Sequence, residues 1–212
     1  MSIKSLKSAK VIFWDFDGVI KDSVKVKTDA FEKLFSTYGN DIVKKIRIHH
    51  EENGGVSRFD KIPIYLKWVK QELSQEIVNR YSNQFSILVK KNVIDSEWVV
   101  GVLNFLQNNH LSKKFFIVTA TPQKEIEDIL SQLKIDIFFQ SVIGSPTKKG
   151  EAIKMILDNY SILPEDSVMI GDSESDYNAA IVNMVPFILR KTEFNKKLQD
   201  KINCQMIKDF NE

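Results

Sequence analysis

Apolar and polar residues follow two spacings along most of the chain. Short runs rich in Val, Ile and Phe predict buried β-strands at residues 11–16, 115–120, 139–143, 167–171 and 185–189. Segments with the apolar spacing of amphipathic helices follow or separate these runs: EWVVGVLNFLQNN, KEIEDILSQL, GEAIKMILDNY and SDYNAAIVNM. Strands that alternate with helices predict an α/β fold, in which helices cover both faces of a parallel sheet of about five strands.

The segment between the first and second predicted strands has a different pattern. Its apolar residues recur with helical spacing, and no strand-like run occurs in AFEKLFSTYG, DIVKKIRIHHEEN, FDKIPIYLKWV or QEIVNRYSNQFSILVKK. We therefore predict an all-helical cap domain at residues 23–92, inserted into a core domain made of residues 1–22 and 93–212. The lysine-rich segment that begins at Lys191 is interpreted as a solvated surface.

Composition and charge narrow the setting in which the chain works. A net charge of +2 over 212 residues gives no reason to expect a nucleic acid or a membrane surface as a partner. The single cysteine, Cys204, cannot form an intramolecular disulfide, and no apolar run approaches the roughly 20 residues of a membrane span. The basic N-terminus lacks the apolar region and cleavage site of a signal peptide. We therefore expect a cytoplasmic protein.

Two carboxylates stand at the end of the first predicted strand, in VIFWDFDGVI. Burying them beside apolar residues is costly unless a cation compensates their charge. Parallel strands bind ligands at their carboxyl ends, and the other strand ends and one helix start add further polar residues there. The resulting set is Asp15, Asp17, Thr119, Lys148, Lys149, Asp172 and Asp176. Carboxylate oxygens beside a lysine suit a hard cation such as Mg²⁺ together with a phosphate group.

Four short motifs in this set resemble those of the haloacid-dehalogenase-like superfamily of phosphohydrolases. DFDGV is similar to the first motif of that family, VTATP to the second, TKKGEAI to the lysine motif and IGDSESD to the acidic fourth motif. All four occur in the family's order, and the resemblance covers nearly the whole chain. It implies a Rossmann-like core with a helical cap, as in the branch that contains phosphoglycolate phosphatases and β-phosphoglucomutases.

The resemblance also implies roles for individual residues. Asp15 would attack phosphorus and form an aspartyl-phosphate, and Asp17 would protonate the leaving alkoxide and then activate water. Mg²⁺ would be held by the carboxylates of Asp15 and Asp172 and by the backbone carbonyl of Asp17, with Asp176 orienting these ligands. The expected substrate-binding residues are Thr119, Ala120, Lys149, Gly18 and Arg58.

Several residues have alternative interpretations. Lys149 is preferred over Lys148 as the motif lysine, because the family often shows Lys-Gly there. Thr121 is interpreted as a helix N-cap with Pro122 at the first helical position, rather than as a second phosphate ligand. His49 and His50 have no metal-ligand partner at a usable spacing, so we expect them on the surface or in packing.

Arg58 follows a flexible GGVS segment in the predicted cap. Its guanidinium could clamp a second anionic or hydroxyl-rich end of a substrate, as the resemblance of GVSR to a cap segment of related enzymes implies. The alternative is a first-turn helix residue that faces solvent or pairs with Asp60 or Glu51.

The predicted function is magnesium-dependent hydrolysis of a small phosphomonoester, such as a glycolate, sugar, polyol or amino-alcohol phosphate, by a monomer. One alternative is a phosphomutase of the same superfamily, to which GGVSRFDKI has some resemblance. Lys27 near the position of the mutases' histidine, and GDSESD in place of their usual EDSxAG, favour hydrolysis. The other alternative is a non-catalytic receiver-like or scaffold protein, which would not need a cap of this size or the DxDG pair.

Overall fold

A computed structural model describes residues 6–211, so residues 1–5 of the predicted core domain and Glu212 lie outside the described part. Its centre is a sheet of six strands in the order β3-β2-β1-β4-β5-β6, and every neighbouring pair is parallel. The strands are β1 Val11–Trp14, β2 Lys114–Pro122, β3 Ser141–Ser145, β4 Ser167–Gly171, β5 Phe187–Arg190 and β6 Gln205–Ile207. This architecture confirms the predicted α/β fold.

Nine α-helices occur in the described residues: α1 Val24–Leu34, α2 Asn40–Glu52, α3 Arg58–Trp68, α4 Gln75–Asp95, α5 Val102–Asn109, α6 Gln123–Gln132, α7 Lys149–Asn159, α8 Glu174–Val182 and α9 Lys196–Lys201. Three short 3₁₀ helices lie at Ser36–Tyr38, Asp136–Phe138 and Pro164–Asp166. Helices α1–α4 occupy residues 24–95, between β1 and α5, and no strand occurs in these residues. Helix α4 continues past residue 92, where the predicted cap ends, and the division into two domains stays a prediction. In residues 6–211, no helix is both long enough and apolar enough to cross a membrane.

The sheet is buried on both faces because alternate side chains of each strand point to opposite sides. On one face, Ile12 and Trp14 belong to an apolar cluster that also includes residues of α1–α6. On the other face, Val11 and Phe13 pack with residues of α7, α8 and α9. Helices α1–α4 therefore share one continuous apolar core with the sheet, which fixes them above its edge.

The interpretation of the segment after Lys191 as a solvated surface was wrong. Helix α9 and strand β6 both lie there, and Leu198 and Ile207 are buried. Asn195 anchors the segment beside the site, because its side-chain amide donates to the backbone carbonyl of Asp172 at 2.7 Å. Phe210 packs against Trp14, with ring centroids 5.3 Å apart. Through Asn195, the segment after Lys191 thus holds the end of β4.

The two connections between the sheet and helices α1–α4 run side by side. Lys21 and Trp98 form an antiparallel bridge, and the Lys21 ammonium lies 4.3 Å from the centroid of the Trp98 ring. The Asp22 amide donates to the Glu97 carbonyl at 2.8 Å. The connection that leads from the sheet to α1 and the connection that leads from α4 back to the sheet are therefore paired with each other.

Candidate active site

Asp15 follows the last residue of β1 and lies at the carboxyl edge of the sheet. One carboxylate oxygen accepts from the Phe16 amide at 2.7 Å, and the other accepts from the Lys149 ammonium at 2.8 Å. Gly18 turns the chain directly after this strand with a φ of +75°. A Cβ at this position would lie 2.1 Å from Oδ2 of Asp172, so glycine is needed both for the turn and for the close approach of that carboxylate.

Lys149, the first residue of α7, joins two of the predicted acids. Its ammonium donates to Asp15 at 2.8 Å and to Asp176 at 2.6 Å, and its side chain is buried. Burial alone would lower the pKa of Lys149, but the two carboxylates raise it above its usual value. Lys148 is exposed and contacts none of these acids in the described structure. The geometry therefore agrees with the preference for Lys149 as the motif lysine.

Asp172 and Asp176 approach Asp15 from the end of β4 and the first turn of α8. Ser173 and Asp176 form a capping box, in which the Asp176 carboxylate accepts from the Ser173 amide at 3.2 Å and from its hydroxyl at 2.5 Å. This cap fixes both the start of α8 and the orientation of the Asp176 carboxylate. Asp176 is fully buried and Asp172 is nearly so.

The three acids fit a hard divalent cation. One carboxylate oxygen from each of Asp15, Asp172 and Asp176 lies within 4.8 Å of the other two. Burial, followed by the charge of Asp176, raises the pKa of Asp15 to about 7, against the opposing charge of Lys149. Burial and the charges of Asp15 and Asp176 raise the pKa of Asp172 well above its usual range. One lysine does not compensate this cluster, and carboxylate oxygens are the ligands that Mg²⁺ prefers.

Asp17 is held by partners that sequence reasoning missed. Its carboxylate accepts from Ser23 at 2.6 Å, from Thr121 at 3.1 Å and from the ammonium of Lys27 on helix α1. Lys27 also donates to the Thr121 hydroxyl at 2.8 Å. Burial would raise the pKa of Asp17, but the charge and hydrogen bond of Lys27, with the hydrogen bonds of Ser23 and Thr121, lower it. The side-chain oxygens of Asp17 are thus fixed by both the sheet edge and the first helix above it.

The interpretation of Thr121 as a helix N-cap was wrong. Strand β2 continues to Pro122, which is itself the N-cap of α6, and the helix begins at Gln123. Thr121 is buried and its hydroxyl bonds with Asp17 and Lys27. The second threonine of TATP was the available signal, because alternate residues of a strand end point to the same side.

The predicted phosphate-binding residues Thr119 and Ala120 line a cavity of about 600 Å³ together with Asp15, Asp17 and Asp172. Helices α1–α4 supply much of the remaining lining, including Phe31 and Phe85 as apolar walls. Residues that the sequence placed at separate strand ends thus line one cavity. Gly18 lies next to this space through its contact with Asp172.

Arg58 neither faces solvent nor pairs with Asp60 or Glu51, so that alternative was wrong. Its side chain is buried, and its guanidinium donates to both carboxylate oxygens of Glu125, at 2.9 and 2.5 Å, and to the Ser86 hydroxyl at 2.6 Å. Glu125 belongs to the first turn of α6, so this ion pair joins α3 to a helix that covers the sheet. Arg58 also lines the cavity, and its contact with a substrate stays a prediction.

The two histidines of α2 take packing roles. His49 bonds with the Tyr65 hydroxyl at 3.1 Å, and His50 is buried against Phe31, with ring centroids 4.9 Å apart. The polar partner of His50 is unexpected: its Nδ1 lies 3.0 Å from the ammonium of Lys61, a buried residue of α3. Lys61 lies in the GGVSRFDKI segment, but the sequence analysis assigned no role to this lysine, one of the two in α3.

A family model for haloacid dehalogenase-like hydrolases matches residues 11–189, which include all the motif residues described above. The chain therefore belongs to this family. That membership confirms the resemblance drawn from the four motifs.

Two named relatives align with most of the chain. A phosphorylated carbohydrates phosphatase of Thermotoga maritima is 24% identical over 181 residues, which is 81% of this chain and 80% of that protein. A phosphoglycolate phosphatase of Vibrio cholerae is 26% identical over 183 residues, 82% of this chain and 81% of that protein. Both relatives of this haloacid dehalogenase-like hydrolase are thus phosphatases by name.

Solved structures show the same fold over nearly the whole chain. A β-phosphoglucomutase from Clostridium difficile superimposes with a TM-score of 0.76 at 20% identity, covering 96% of this chain and 92% of that one. CbbY from Rhodobacter sphaeroides, solved in complex with phosphate, also gives 0.76, at 13% identity and with 96% of both chains covered.

The contact between Gly18 and Asp172 predicts a selective effect on metal binding. Gly18→Ala places a methyl group against the Asp172 carboxylate and displaces it from the acid cluster. Gly39→Ala is the matched control, because Gly39 has a φ of +88° and a methyl group there would meet no atom within 4 Å. Both variants also carry the cost of placing an alanine at a positive φ, roughly 1–3 kcal/mol.

The measurement is the rise in Tm when Mg²⁺ is added, since a ligand of the folded state stabilises it. The wild type and Gly39→Ala should show the same rise, and Gly18→Ala little or none. An equal rise in all three proteins would show that Asp172 is not needed to bind the cation.

The buried ion pair between Arg58 and Glu125 predicts strong energetic coupling between α3 and α6. Arg58→Met and Glu125→Gln should each lower the free energy of unfolding by about 3–5 kcal/mol, because each leaves a buried partner unpaired. The double variant should lose much less than the sum of the two. Urea denaturation of the four proteins gives the coupling energy.

Lys91→Met is the control for this cycle, since Lys91 pairs with Asp95 on the exposed surface of α4. It should leave the free energy of unfolding nearly unchanged. Additive losses for Arg58 and Glu125 would mean that the contact does not couple the two helices.

Proposed function

We propose that the chain is a magnesium-dependent phosphomonoesterase that hydrolyses a small phosphorylated metabolite through an aspartyl-phosphate on Asp15. The observation that carries this proposal is the placement of Asp15. Its carboxylate lines the cavity with Asp17 and Thr119, while Lys149 and the Phe16 amide hold its two oxygens. Two-step transfer of a phosphoryl group needs one carboxylate as the nucleophile and a second group nearby as acid and base, and the positions of Asp15 and Asp17 support these two roles.

In the first step, an oxygen of the Asp15 carboxylate forms a bond to phosphorus while the bond from phosphorus to the substrate's alkoxide oxygen breaks. Asp17 gives a proton to that alkoxide. In the second step, Asp17 takes a proton from water, whose oxygen attacks phosphorus and releases phosphate and the Asp15 carboxylate. The bonds from Ser23, Thr121 and Lys27 hold Asp17 in one orientation. They also favour its ionised form, which is the form that takes a proton from water in the second step, so Asp17 has to gain a proton before it acts as the acid of the first step.

Asp15, Asp172 and the backbone carbonyl of Asp17 would hold Mg²⁺, and Asp176 would orient them through its bonds with Lys149 and Ser173. When bound, the cation offsets the charge of the phosphoryl group and the carboxylates. The Thr119 hydroxyl and the Ala120 amide supply hydrogen bonds to the phosphoryl oxygens. Lys149 adds positive charge behind the nucleophile.

The size of the substrate is limited by the helices above the sheet. The cavity of about 600 Å³ is walled by α1–α4 on one side and by the strand ends on the other. A cavity of this size admits a small phosphomonoester, and closure of the helices over it would exclude bulk water during transfer. The names of the Thermotoga and Vibrio relatives, a phosphorylated carbohydrates phosphatase and a phosphoglycolate phosphatase, support a substrate of this class.

Asp17→Asn should slow hydrolysis of an alkyl phosphate by about 10²–10⁴, the usual contribution of a positioned acid and base. The loss should be smaller for an aryl phosphate, because its leaving group needs little protonation. The measurement is phosphate release in Mg²⁺ from glycerol phosphate and from p-nitrophenyl phosphate, with Asp15→Asn as the control that should lose both activities.

Three results would contradict the proposal. Asp15→Asn with a tenth of wild-type activity would exclude the covalent step. Equal losses for the two phosphates in Asp17→Asn would exclude the general acid, provided that leaving-group departure limits wild-type turnover. Isomerisation of a sugar phosphate without net phosphate release would favour a phosphomutase.

A further inference from the structure

Lys61 is a buried cation on the cap side of the cavity. It lies in the first turns of α3, is 1% exposed and contributes to the cavity lining. Its ammonium lies 3.0 Å from Nδ1 of His50, and it forms no other hydrogen bond or ion pair within residues 6–211. A buried ammonium whose bonding partner is an imidazole needs a physical explanation, since isolated charge is costly to bury.

Two other cations of the cap that line the cavity already have carboxylate partners. Lys27 pairs with Asp17, and both arms of the Arg58 guanidinium are taken by Glu125. In the part of the chain that the structure describes, Lys61 has no carboxylate oxygen within 4.0 Å of its nitrogen. Of these three cations, Lys61 is thus the one that retains bonding capacity toward the cavity.

His50 does not supply the missing negative charge. Burial, and then the charges of Lys61 and Lys27, lower the pKa of His50 well below its usual value and favour the neutral ring. A neutral ring can accept a hydrogen bond from Lys61 at Nδ1. Burial and the positive charges of Lys27 and Lys149 lower the pKa of Lys61 to about 7. The pair is therefore a buried donor site without a counter-ion, and an anion bound beside Lys61 would favour the charged form of its amine.

The surroundings of Lys61 suit a short substrate. Phe31 and Phe85 pack with ring centroids 4.1 Å apart and form an apolar part of the cavity wall. Their low polarity strengthens any ion pair made beside them and leaves water little access to it. Lys61 lines the same cavity as Asp17 and Asp172 of the sheet edge, without contacting either carboxylate.

We propose that Lys61, oriented by His50, is the subsite for a second anionic group of the substrate, a carboxylate or a second phosphate, carried on a short chain from the phosphoryl group at Asp15. This inference rests on the proposed hydrolysis of a phosphomonoester. It assigns selection of the substrate's far end to Lys61 instead of Arg58, whose donors are used to join α3 to α6.

The test measures binding in a variant that does not turn over, so that it is independent of activity. Asp15→Asn and Asp15→Asn/Lys61→Met are titrated in Mg²⁺ by calorimetry with three two-carbon ligands. These are 2-phosphoglycolate, ethylene glycol bisphosphate and 2-hydroxyethyl phosphate, which differ in carrying a carboxylate, a second phosphate or a neutral hydroxyl at the far end. Asp15→Asn/Lys67→Met is the matched control, because Lys67 is an exposed lysine of the same helix.

Removing Lys61 should weaken binding of one or both anionic-ended ligands by about 10- to 100-fold, the usual effect of a hydrogen bond to a charged group. The ligand with the larger loss identifies the carboxylate or the phosphate as the group that Lys61 accepts. Binding of 2-hydroxyethyl phosphate should change at most a few-fold, and Lys67→Met should change none of the three. Lys61→Gln, which retains a donor for His50, is the second variant and should give the same loss of charge selectivity even if Lys61→Met folds poorly.

Equal losses for all three ligands would mean that Lys61 attracts the phosphoryl group and not a second anion, and would overturn the proposal. Unchanged affinities would do the same. Selective loss of affinity combined with no phosphate release by the wild type from any of the three ligands would instead overturn the proposed hydrolysis and leave the subsite intact.

Discussion

The gathering of four carboxylates, three of them buried, at one edge of a parallel sheet is the constraint on which the rest of the structure depends. Asp15, Asp17, Asp172 and Asp176 approach one another because strands β1 and β4 are neighbours and end at the same level. Lys149 bridges two of them, and its position at the start of α7 is fixed by that ion pair. One lysine does not neutralise all of the carboxylates, and the pKa values of Asp15 and Asp172 are raised as a result. This uncompensated negative charge favours binding of a cation at this edge, and the cation in turn favours binding of a phosphoryl group.

Helices α1, α2 and α3 also form ion pairs with residues at the sheet edge or on the helices that cover the sheet. Lys27 of α1 holds the carboxylate of Asp17, Arg58 of α3 pairs with Glu125 of α6, and Lys197 of α9 pairs with Glu52 of α2 at 2.7 Å. Each contact joins a helix of the cap segment to an element of the sheet layer. With these charges paired, Lys61 is left as the buried cation that an anionic substrate group can neutralise. In this account the helices α1–α4 select the substrate by size and charge, and the residues at the sheet edge carry out the hydrolysis.

Much of this arrangement could be predicted from the sequence, and the failures have physical causes. Five strands were recognised because buried parallel strands are continuous apolar runs, whereas Gln205–Ile207 is too short and too polar to stand out as β6. The acids at the strand ends were found because sheet topology alone brings them together. Thr121, Arg58 and Lys61 required three-dimensional contacts, since their partners lie 104, 67 and 11 residues away in the chain. A lysine's role in particular depends on which carboxylates it meets, and sequence spacing does not encode that.

The central claim is that Asp15 carries the phosphoryl group, and it is tested most directly by trapping the acyl phosphate. Borohydride reduces an aspartyl-phosphate to homoserine, which mass spectrometry of the peptide containing residue 15 would detect. During turnover of a phosphomonoester in Mg²⁺, a covalent step on Asp15 predicts homoserine at position 15, at a level that falls to background without substrate. Rapid phosphate release under the same conditions with position 15 unreduced, or homoserine at Asp17 or Asp172 instead, would contradict it.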